Sequence, residues 1–377
     1  MPTQDGVILV LNSGSSSLKF SLYRHSDGDE LLILEGRAEA IGRNDGTLRV
    51  KTAAGELLTD LKNINQSQPD VLHFIQHLLA ERKLTPVAVG HRVVHGGPGL
   101  REHQIVTPAV QTEFRESWNF APLHTPPASA VLDLAVTIFP CPHFLCLDNA
   151  FHRTMPLVST RLPIPERFFK EGVQRYGFHG LSFESIVRRL GSELPRRAVL
   201  AHLGNGSSVT AVLDGKCQET SMGLTPTGGV IMGTRTGDLD PGVFLYILRE
   251  EKLSVDELTR LFNNQSGMFA YSDGESDMQA LSKRAQSGDA AAELAIDAFC
   301  HSVRKFIGAY AALLGGIDLL VFSGGIGENS ADVRRRICAP LAFLGIELDA
   351  PNGKVRIVPT EEERQMSRIT RGLLAAR

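Results

Sequence analysis

The sequence begins with an apolar run, Val7-Ile8-Leu9-Val10-Leu11, followed by the small polar segment Asn12 to Ser17 and by Leu18-Lys19-Phe20-Ser21-Leu22-Tyr23. A continuous apolar run is typical of a buried strand, and apolar and polar residues that alternate with period two are typical of a half-buried strand. This stretch therefore predicts two strands joined by a polar turn.

The same plan returns in the second half of the chain. There, Ala198 to Leu203 is apolar, Gly204-Asn205-Gly206-Ser207-Ser208 is small and polar, and Val209 to Leu213 leads to the turn Asp214-Gly215. The chain has 377 residues, well above the ~150 of a typical domain. Two similar hairpins, one in each half, predict a duplicated domain.

Other segments predict further strands and helices. The strands are Val87 to Val94, His143 to Leu147 and Leu319 to Phe322; the helices are Pro69 to Leu79, Thr125 to Val136, Phe183 to Leu190, Ala290 to Leu314 and Glu361 to Leu374. Strands and helices mixed in this way predict an α/β architecture.

The composition is 42% hydrophobic and 21% charged, as in ordinary globular proteins. A net charge of −3 argues against a nucleic acid or an anionic membrane bound mainly through bulk charge. The chain has no long apolar run and no basic segment before its first apolar one, so we expect a cytoplasmic protein with no membrane partner. Its five cysteines form no C-x-x-C pair, so we expect reduced thiols.

Three segments place small residues directly after a buried strand: Asn12 to Ser17, Gly204 to Ser208 and Gly324 to Ser330. Free backbone amides and hydroxyls in such turns bind anionic oxygens, and Lys19 adds a point charge beside the first. The third segment is predicted as a glycine-rich loop that leads into a helix, a common nucleotide position. The chain contains neither a P-loop signature nor a complete G-x-G-x-x-G.

His91 and His95 have the spacing of two ligands in a helical zinc site. The intervening Arg92-Val93-Val94 favours a strand, in which the two rings would lie about 13 Å apart. We therefore do not expect zinc at this position.

The motifs together resemble those of the acetate kinase family. Val10 to Phe20 resembles its first phosphate motif, His202 to Ser208 its second and Gly324 to Asn329 its adenosine motif. Other matches occur in the family's order: Gly90-His91-Arg92-Val93-Val94-His95-Gly96-Gly97, Ala121-Pro122-Leu123-His124, Asp148-Asn149-Ala150-Phe151-His152, Gly177-Phe178-His179-Gly180 and Met232-Gly233-Thr234-Arg235-Thr236-Gly237-Asp238. The resemblance spans residues 7 to about 370.

The resemblance implies two duplicated ribonuclease H-like domains of the actin-like ATPase type, with an interdomain active-site cleft. Residues 1–150 and a C-terminal helix at about 360–377 would form the first domain. Residues 151–359 would form the second, which binds the nucleotide and dimerises. The implied activity is the reversible, direct in-line transfer of a phosphoryl group from Mg-ATP to acetate, which leaves ADP. The resemblance also implies Mn²⁺ as an alternative cation and a homodimer as the assembly.

The resemblance also assigns site residues. The catalytic residues would be Asp148, His179 and Arg235; the substrate would contact Arg92, Val94, Leu123, Phe178 and Pro226; and Asn12 and Glu362 would hold the metal, with Glu363 as the alternative to Glu362. The nucleotide would contact Ser15, Ser17, Lys19, His202, Leu203, Gly204, Asn205, Gly206, Asp277, Met278, Gln279, Gly325, Ile326, Gly327, Glu328 and Asn329.

Several of these residues also have ordinary structural interpretations. An arginine between apolar neighbours, such as Arg92, can form a structural ion pair, and His179 alone would suggest a core histidine. Asp148 at a strand end fits a helix cap as well as a group that directs Mg²⁺. Glu361-Glu362-Glu363 alone would suggest the solvated first turn of a helix.

The chain departs from the family pattern at a few positions. Where the family has Asp-x-Arg against the nucleotide, this chain has Asp277-Met278-Gln279, so we expect weaker or less selective adenine-nucleotide binding. Gly325 and Ile326 still favour a nucleotide over pyrophosphate as donor. The other departures are Pro98, Thr125, Leu181 and Gly228. The alternatives are a propionate or butyrate kinase, and a nucleotide-binding sensor without turnover.

Overall fold

The computed structural model describes residues 6–14, 16–26, 28–121, 125–348, 350 and 353–377. Their contacts divide the chain into two compact units. Unit 1 is Met1–Ala150 with Glu361–Arg377, and unit 2 is Phe151–Thr360.

The described residues of unit 1 form eight strands and four helices. In chain order its first elements are β1 Val7–Ser13, β2 Leu18–Ser26, β3 Asp29–Glu39, β4 Gly46–Thr52, β5 Leu57–Ile64, α1 Gln68–Glu81, β6 Pro86–Val93, β7 Gln104–Ile105, α2 Pro108–Glu116, α3 Thr125–Ile138 and β8 His143–Leu147. The fourth helix is the last element of the chain, given below.

In unit 2, five strands and ten helices are formed by the part of the chain that the structure describes. They are α4 Leu157–Thr160, α5 Glu166–Lys170, α6 Gly180–Leu190, β9 Arg197–Leu203, β10 Ser207–Leu213, β11 Lys216–Thr220, α7 Pro241–Glu250, α8 Val255–Asn264, α9 Met268–Tyr271, α10 Met278–Gln286, α11 Ala290–Leu313, β12 Leu319–Ser323, α12 Gly324–Asn329, α13 Ala331–Cys338 and β13 Val355–Ile357. The final helix, α14 Glu362–Ala375, belongs to unit 1.

The five strands of the unit 2 sheet correspond to β3, β2, β1, β6 and β8 of the unit 1 sheet, which also contains β4, β5 and β7. Unit 1 has the strand order β5-β4-β3-β2-β1-β6-β8-β7, and unit 2 has the order β11-β10-β9-β12-β13. In each sheet the first strand of a hairpin, β1 or β9, lies between its antiparallel hairpin partner and a parallel strand, β6 or β12. Each unit therefore carries the predicted hairpin at the same place in its sheet, as expected for a duplicated domain.

The β1–β2 hairpin has one face in the core of unit 1. Leu9 and Leu11 on β1 and Phe20 on β2 are buried there with residues of α1 such as Val71 and Ile75. Their burial removes apolar surface from water, the main favourable contribution to folding. The opposite face carries Asn12, which pairs directly with Lys19.

Helix α14 packs on the sheet of unit 1. Gly90 on β6 allows this approach, because a Cβ at that position would lie only 2.4 Å from Thr370 Oγ1. Glu30, which is 1% exposed, accepts hydrogen bonds from Arg371 Nε (2.6 Å) and Ser367 Oγ (2.7 Å). These contacts fix the helix whose first turn carries Glu362 and Glu363.

The predicted strands and helices all occur, but one predicted loop is wrong. The glycine-rich segment after β12 forms helix α12 from Gly324 onward. The five cysteines are free thiols. Within the described ranges, no helix combines the length and apolar character needed to cross a membrane.

Candidate active site

Unit 1 places a buried ion pair at the ends of two parallel strands. Arg92 lies near the end of β6, and Asp148 directly follows β8, the neighbouring strand. Arg92 donates from Nε (3.1 Å) and Nη2 (2.5 Å) to Asp148 Oδ2, and Nη1 donates to Asn12 Oδ1 at 3.2 Å. Asp148 is 1% exposed, so this ion pair is largely removed from water.

The charge of Arg92 is held by its acidic neighbours. Burial alone would lower the pKa of Arg92, but the carboxylates of Asp148, Glu362 and Glu363 outweigh burial and raise that pKa above its usual value. The structural ion pair considered for Arg92 is therefore present. It fixes the orientation of a guanidinium, the side chain best suited to a carboxylate.

The first turn of α14 brings two glutamates to this cluster. Glu363 Oε1 accepts a hydrogen bond from Asn12 Nδ2 at 3.2 Å, and Glu362 Oε2 lies 3.9 Å from Arg92 Nη1. The described residues include no group of three or more His, Cys, Asp or Glu side chains arranged to hold a metal ion. The oxygens of Asn12 and one glutamate nevertheless match Mg²⁺, which in proteins is commonly bound by one or two carboxylates together with substrate phosphates and water.

Lys19 lies on the same face of the sheet as Asn12, because directly paired residues of antiparallel strands share a face. It lines a cavity of about 400 Å³ together with Arg37 and Glu363. Ser17 closes the turn, since its carbonyl accepts a hydrogen bond from Gly14 N at 2.8 Å. Ser15, also predicted to contact phosphate, lies outside the described residues.

In unit 2, His179 occupies a constrained position. It is the N-cap of α6 and has left-handed backbone angles, with φ 59° and ψ 23°, which a residue with a bulky side chain adopts at a cost. Its ring stacks on His202 with 4.4 Å between centroids, and Nδ1 forms a 2.9 Å hydrogen bond with Ser208 Oγ. His202 is fixed in turn by a 2.8 Å hydrogen bond to Ser182.

Gly206, in the turn between β9 and β10, lies against the side chains of His179 and Arg235. A methyl group at this position would lie 3.3 Å from His179 Nε2 and 3.5 Å from Arg235 Nη1. Both nitrogens therefore face the glycine-rich turn. An anion bound at this turn would meet the amides of the turn, a histidine nitrogen and a guanidinium.

The loop that carries Arg235 is tied to the same turn. Gly233 N donates to the carbonyl of Asn205 at 3.2 Å, and Arg235 Nη1 donates to the carbonyl of Pro226 at 3.2 Å. Burial lowers the pKa of Arg235, although arginine remains protonated in proteins.

A cavity of about 900 Å³ lies in unit 2 and contains many of the predicted nucleotide contacts. The predicted residues that line it are Gly204, Asn205, Asp277, Met278, Gln279, Gly325, Ile326 and Asn329. Sequence reasoning missed Ser276, Ser282, Lys283, Gln286, Ser330, Ala331 and Asp332. Ser282, Lys283 and Gln286 lie three, four and seven residues after Gln279, so helical spacing was the signal that could have found them.

Five of the nucleotide contacts predicted in unit 2 are not part of the lining of this cavity: His202, Leu203, Gly206, Gly327 and Glu328. His202 supports the ring of His179, as described above. Glu328 Oε1 accepts hydrogen bonds from Gly324 N (2.9 Å) and Thr360 N (3.2 Å), so it stabilises the start of α12.

The predicted substrate contacts differ in burial. Phe178 is fully buried, Pro226 is half-buried beside Arg235, and Val94 is half-buried just after β6. Leu123 lies outside the described residues.

Of the departures from the family pattern, Leu181 and Thr125 are buried, Pro98 is exposed, and a Cβ at Gly228 would meet Asp238 Oδ1 at 3.2 Å.

His91 and His95, which have zinc-like spacing, have separate partners. His91 Nε2 lies 2.8 Å from His143 Nδ1, whereas His95 Nδ1 accepts from Gly97 N at 2.9 Å and its ring stacks on Phe120.

Comparison with known proteins identifies the family. The sequence profile of the acetokinase family matches residues 7–368. Acetate kinase of Treponema denticola is 37% identical over 97% of this chain and 99% of its own length.

Solved structures of related proteins support the same family assignment. The structure of a propionate kinase from Francisella tularensis has a TM-score of 0.91 at 36% identity, and covers 98% of this chain and 100% of its own. Acetate kinase of Porphyromonas gingivalis has a TM-score of 0.88 at 33% identity with the same coverage. This chain therefore belongs to the acetokinase family, whose members are phosphotransferases with a carboxyl group as acceptor.

Proposed function

We propose that this chain is an acetate kinase, which transfers the γ-phosphoryl group of ATP reversibly to acetate. The observation that carries the proposal is the convergence of His179 and Arg235 on Gly206, in a turn whose Gly204 and Asn205 also line the 900 Å³ cavity. A nucleotide in that cavity would direct its phosphates to donors that suit a transferring phosphoryl group.

Direct transfer of the phosphoryl group requires no covalent enzyme intermediate. An oxygen of the acetate carboxylate bonds to the γ-phosphorus as the bond from that phosphorus to the β–γ bridging oxygen breaks, and ADP leaves with the electron pair. Negative charge grows on the equatorial oxygens, so fixed donors there lower the barrier more than a nucleophilic side chain would. His179 Nε2 and Arg235 Nη1 are the proposed donors, and Arg92 is the proposed partner of the acetate carboxylate.

Mg²⁺ is the proposed metal, with Asn12 and Glu362 as its protein ligands. The oxygen donors of this cluster fit a hard cation, and Glu363 is the alternative ligand because it already contacts Asn12. When bound with ATP, Mg²⁺ neutralises phosphate charge. Asp148 is proposed to act by holding Arg92, as its two hydrogen bonds indicate.

Propionate is the second candidate acceptor, because the chain superimposes closely on a structure described as a propionate kinase. One methylene in an apolar pocket changes binding by only about 1–3 kcal/mol. The two activities therefore differ in degree, and a single chain can have both.

The test is to trap the acyl phosphate with hydroxylamine while supplying acetate, propionate or butyrate with Mg²⁺ and either ATP or pyrophosphate. We expect ATP-dependent acyl hydroxamate, with kcat/KM highest for acetate. His179→Asn should lower kcat at least 100-fold, since Asn tolerates left-handed angles but cannot place a donor at the Nε2 position. ATP binding without turnover for any acid would instead favour the nucleotide-binding sensor.

We also propose a homodimer. Helix α7 is rich in apolar residues yet has no buried residue, with Leu245 52% and Tyr246 66% exposed. Exposed apolar side chains grouped on one helix are typical of a protein interface, and a second copy of the chain is the partner that the family resemblance implies.

A further inference from the structure

His152 ends the motif Asp148-Asn149-Ala150-Phe151-His152 and has no part in the proposed phosphoryl transfer. Its side chain is fully buried in unit 2. Nε2 lies 2.9 Å from the carbonyl oxygen of Phe178, and Nδ1 lies 3.2 Å from Cys217 Sγ. Phe178 immediately precedes His179, so the ring contacts the backbone that leads into the proposed donor to the phosphoryl group.

The two partners of His152 determine which ring nitrogen carries the proton. A carbonyl oxygen only accepts hydrogen bonds, so Nε2 is the protonated nitrogen that donates to Phe178. In a neutral ring Nδ1 is then an acceptor, and the S–H group of Cys217 is its donor. The carbonyl of Glu219, 3.7 Å from the sulfur, is a more distant acceptor for the same proton.

Cys217 keeps its proton in this environment. Its side chain is fully buried, and burial together with the carboxylate of Glu219 raises the pKa of the thiol well above its usual value. A thiol rather than a thiolate therefore faces Nδ1. A neutral pair suits the interior, because two charges there would lose their hydration.

The ring of His152 also packs against the chain on both sides of His179. Before it, Gly177 has a φ of 75°, and a Cβ there would lie only 2.6 Å from Cγ and Cδ2 of His152. After it, Phe183 on α6 meets the ring edge to face, with 5.8 Å between centroids, and its N–H donates to the carbonyl of His179 at 3.0 Å. The imidazole thus contacts residues that immediately flank the His179 turn.

These contacts bear on the direction of the His179 side chain. Left-handed backbone angles such as those of His179 persist only where the surrounding structure holds them. The carbonyl of Phe178 and the N–H of His179 belong to one planar peptide unit, so a fixed carbonyl oxygen restricts the rotation of that plane. A free carbonyl would let the plane turn and would move Nε2 of His179 away from Gly206.

We propose that His152 is a positioning residue for His179, and that the thiol of Cys217 keeps its ring in the Nε2-protonated form that the Phe178 carbonyl requires. The inference rests on the proposed function, in which His179 donates to the transferring phosphoryl group. His152 and Cys217 are both fully buried and would not contact substrate. Their loss should therefore lower kcat and leave the KM for acetate and for ATP nearly unchanged.

The experiment measures kcat and both KM values by acyl hydroxamate formation in the wild type, Cys217→Ala, Cys217→Ser and His152→Leu. Serine keeps a donor for Nδ1, whereas alanine removes it. Cys300→Ala is the matched control, because Cys300 is a thiol of α11 with 1% exposure whose sulfur lies 3.9 Å from the carbonyl of Val333. Thermal unfolding shows that each variant is folded.

We expect kcat to fall about tenfold in Cys217→Ala and about 100-fold in His152→Leu, with each KM within about threefold of the wild type. Cys217→Ser should keep at least about a third of the wild-type kcat, and Cys300→Ala should match the wild type. A Cys217→Ala protein with the wild-type kcat, or a loss that lies in KM alone, overturns the inference.

Double variants test whether the three residues act in series. Cys217→Ala should lower kcat no further when added to His152→Leu, and His152→Leu should lower it no further when added to His179→Asn. Residues that act independently would instead multiply their losses, and that result would also overturn the inference.

Failure of the proposed function would look different, because the wild type itself would then give no acyl hydroxamate. Nitrogen-15 spectra of histidine-labelled protein decide the inference in that case. The signals of His152, assigned by their absence in His152→Leu, should show a ring protonated at Nε2, and the Nδ1 signal should shift in Cys217→Ala. A wild-type ring protonated at Nδ1, or an Nδ1 signal that does not move in Cys217→Ala, overturns the inference.

Discussion

Arg92 and Asp148 depend on each other because Asp148 is almost fully buried. Removing only the arginine leaves an uncompensated carboxylate in the protein interior, which commonly costs several kcal/mol. We expect Arg92→Met to lower the free energy of unfolding by about 3 kcal/mol, measured by urea denaturation at pH 7.

The control is the double variant Arg92→Met/Asp148→Leu, which removes both charges. It should recover most of the lost stability while remaining inactive. An Arg92→Met protein within about 0.5 kcal/mol of the wild type would contradict a tightly coupled buried pair.

For single residues, the sequence predicts which side chains belong to the site better than it predicts what those side chains contact. The motif around His179 predicts a catalytic role for this residue, but nothing near it in sequence indicates the left-handed backbone or the hydrogen bond to Ser208. The partners of Arg92 lie 56 and 80 residues away, so only the fold shows that Asp148 and Asn12 orient its guanidinium.

The strands β6 and β8 are joined by a histidine pair whose state depends on pH. His91 and His143 are both buried and share a 2.8 Å hydrogen bond, and His143 Nε2 is 2.9 Å from the carbonyl of Phe139. Burial lowers the pKa of both rings, and the neighbouring His143 lowers that of His91 further.

Because the folded protein resists protonation of these rings, the unfolded chain binds more protons below about pH 6.5. The stability from this pair should be complete above pH 7 and decrease as the pH falls through 6.5. We expect the unfolding free energy to drop by up to about 1.4 kcal/mol per pH unit for each histidine.

Urea denaturation at pH 7.5, 6.5 and 5.5 checks this prediction. His143→Gln should show a shallower pH dependence than the wild type. His77→Gln, which changes an exposed histidine of α1, should match the wild type. Equal pH dependence in all three proteins would show that the pair does not control acid stability.

Elements with strong patterns were predictable, and those stabilised by distant contacts were not. The apolar runs of β1, β9 and β12 are buried throughout or nearly so, as their sequences indicate. Helix α12 was predicted as a loop because glycine is a poor helix former. The helix is stabilised by side chains, notably Arg334 of α13, whose Nη1 donates to the carbonyl of Gly327 at 2.7 Å.

For the whole molecule, the exposed face of α7 predicts self-association. Tyr246→Asp or Leu245→Asp would place a charge in an apolar interface and should shift the protein from dimer to monomer in sedimentation velocity. Leu61→Asp, at a comparably exposed leucine on β5 of unit 1, should remain dimeric. A wild type that sediments as a monomer would refute the proposed dimer.

The duplicated topology was predictable from two hairpins, because each hairpin is local in sequence. The 900 Å³ cavity was only partly predictable, since it combines residues from the β9–β10 turn, α10, α12 and α13. Motif resemblance found the glycines and the start of α10, whereas Lys283 and Gln286 had no motif to indicate them.

The proposed function depends most on His179 and Arg235, which would act on a phosphoryl group at the Gly206 turn. The most direct measurement is single-turnover transfer from γ-labelled ATP to acetate, trapped as acetyl hydroxamate, in the wild type, Gly206→Ala and the control Gly308→Ala. An added methyl at position 206 would crowd His179 Nε2, 3.3 Å away, and would come into van der Waals contact with Arg235 Nη1, whereas a Cβ at Gly308 on α11 meets no atom within 4 Å.

Small displacements of catalytic groups slow transfer steeply, so we predict rapid transfer in the wild type and Gly308→Ala and a rate about 10- to 100-fold lower in Gly206→Ala. Transfer at the wild-type rate in Gly206→Ala, or no acetyl hydroxamate from the wild type, would contradict the account.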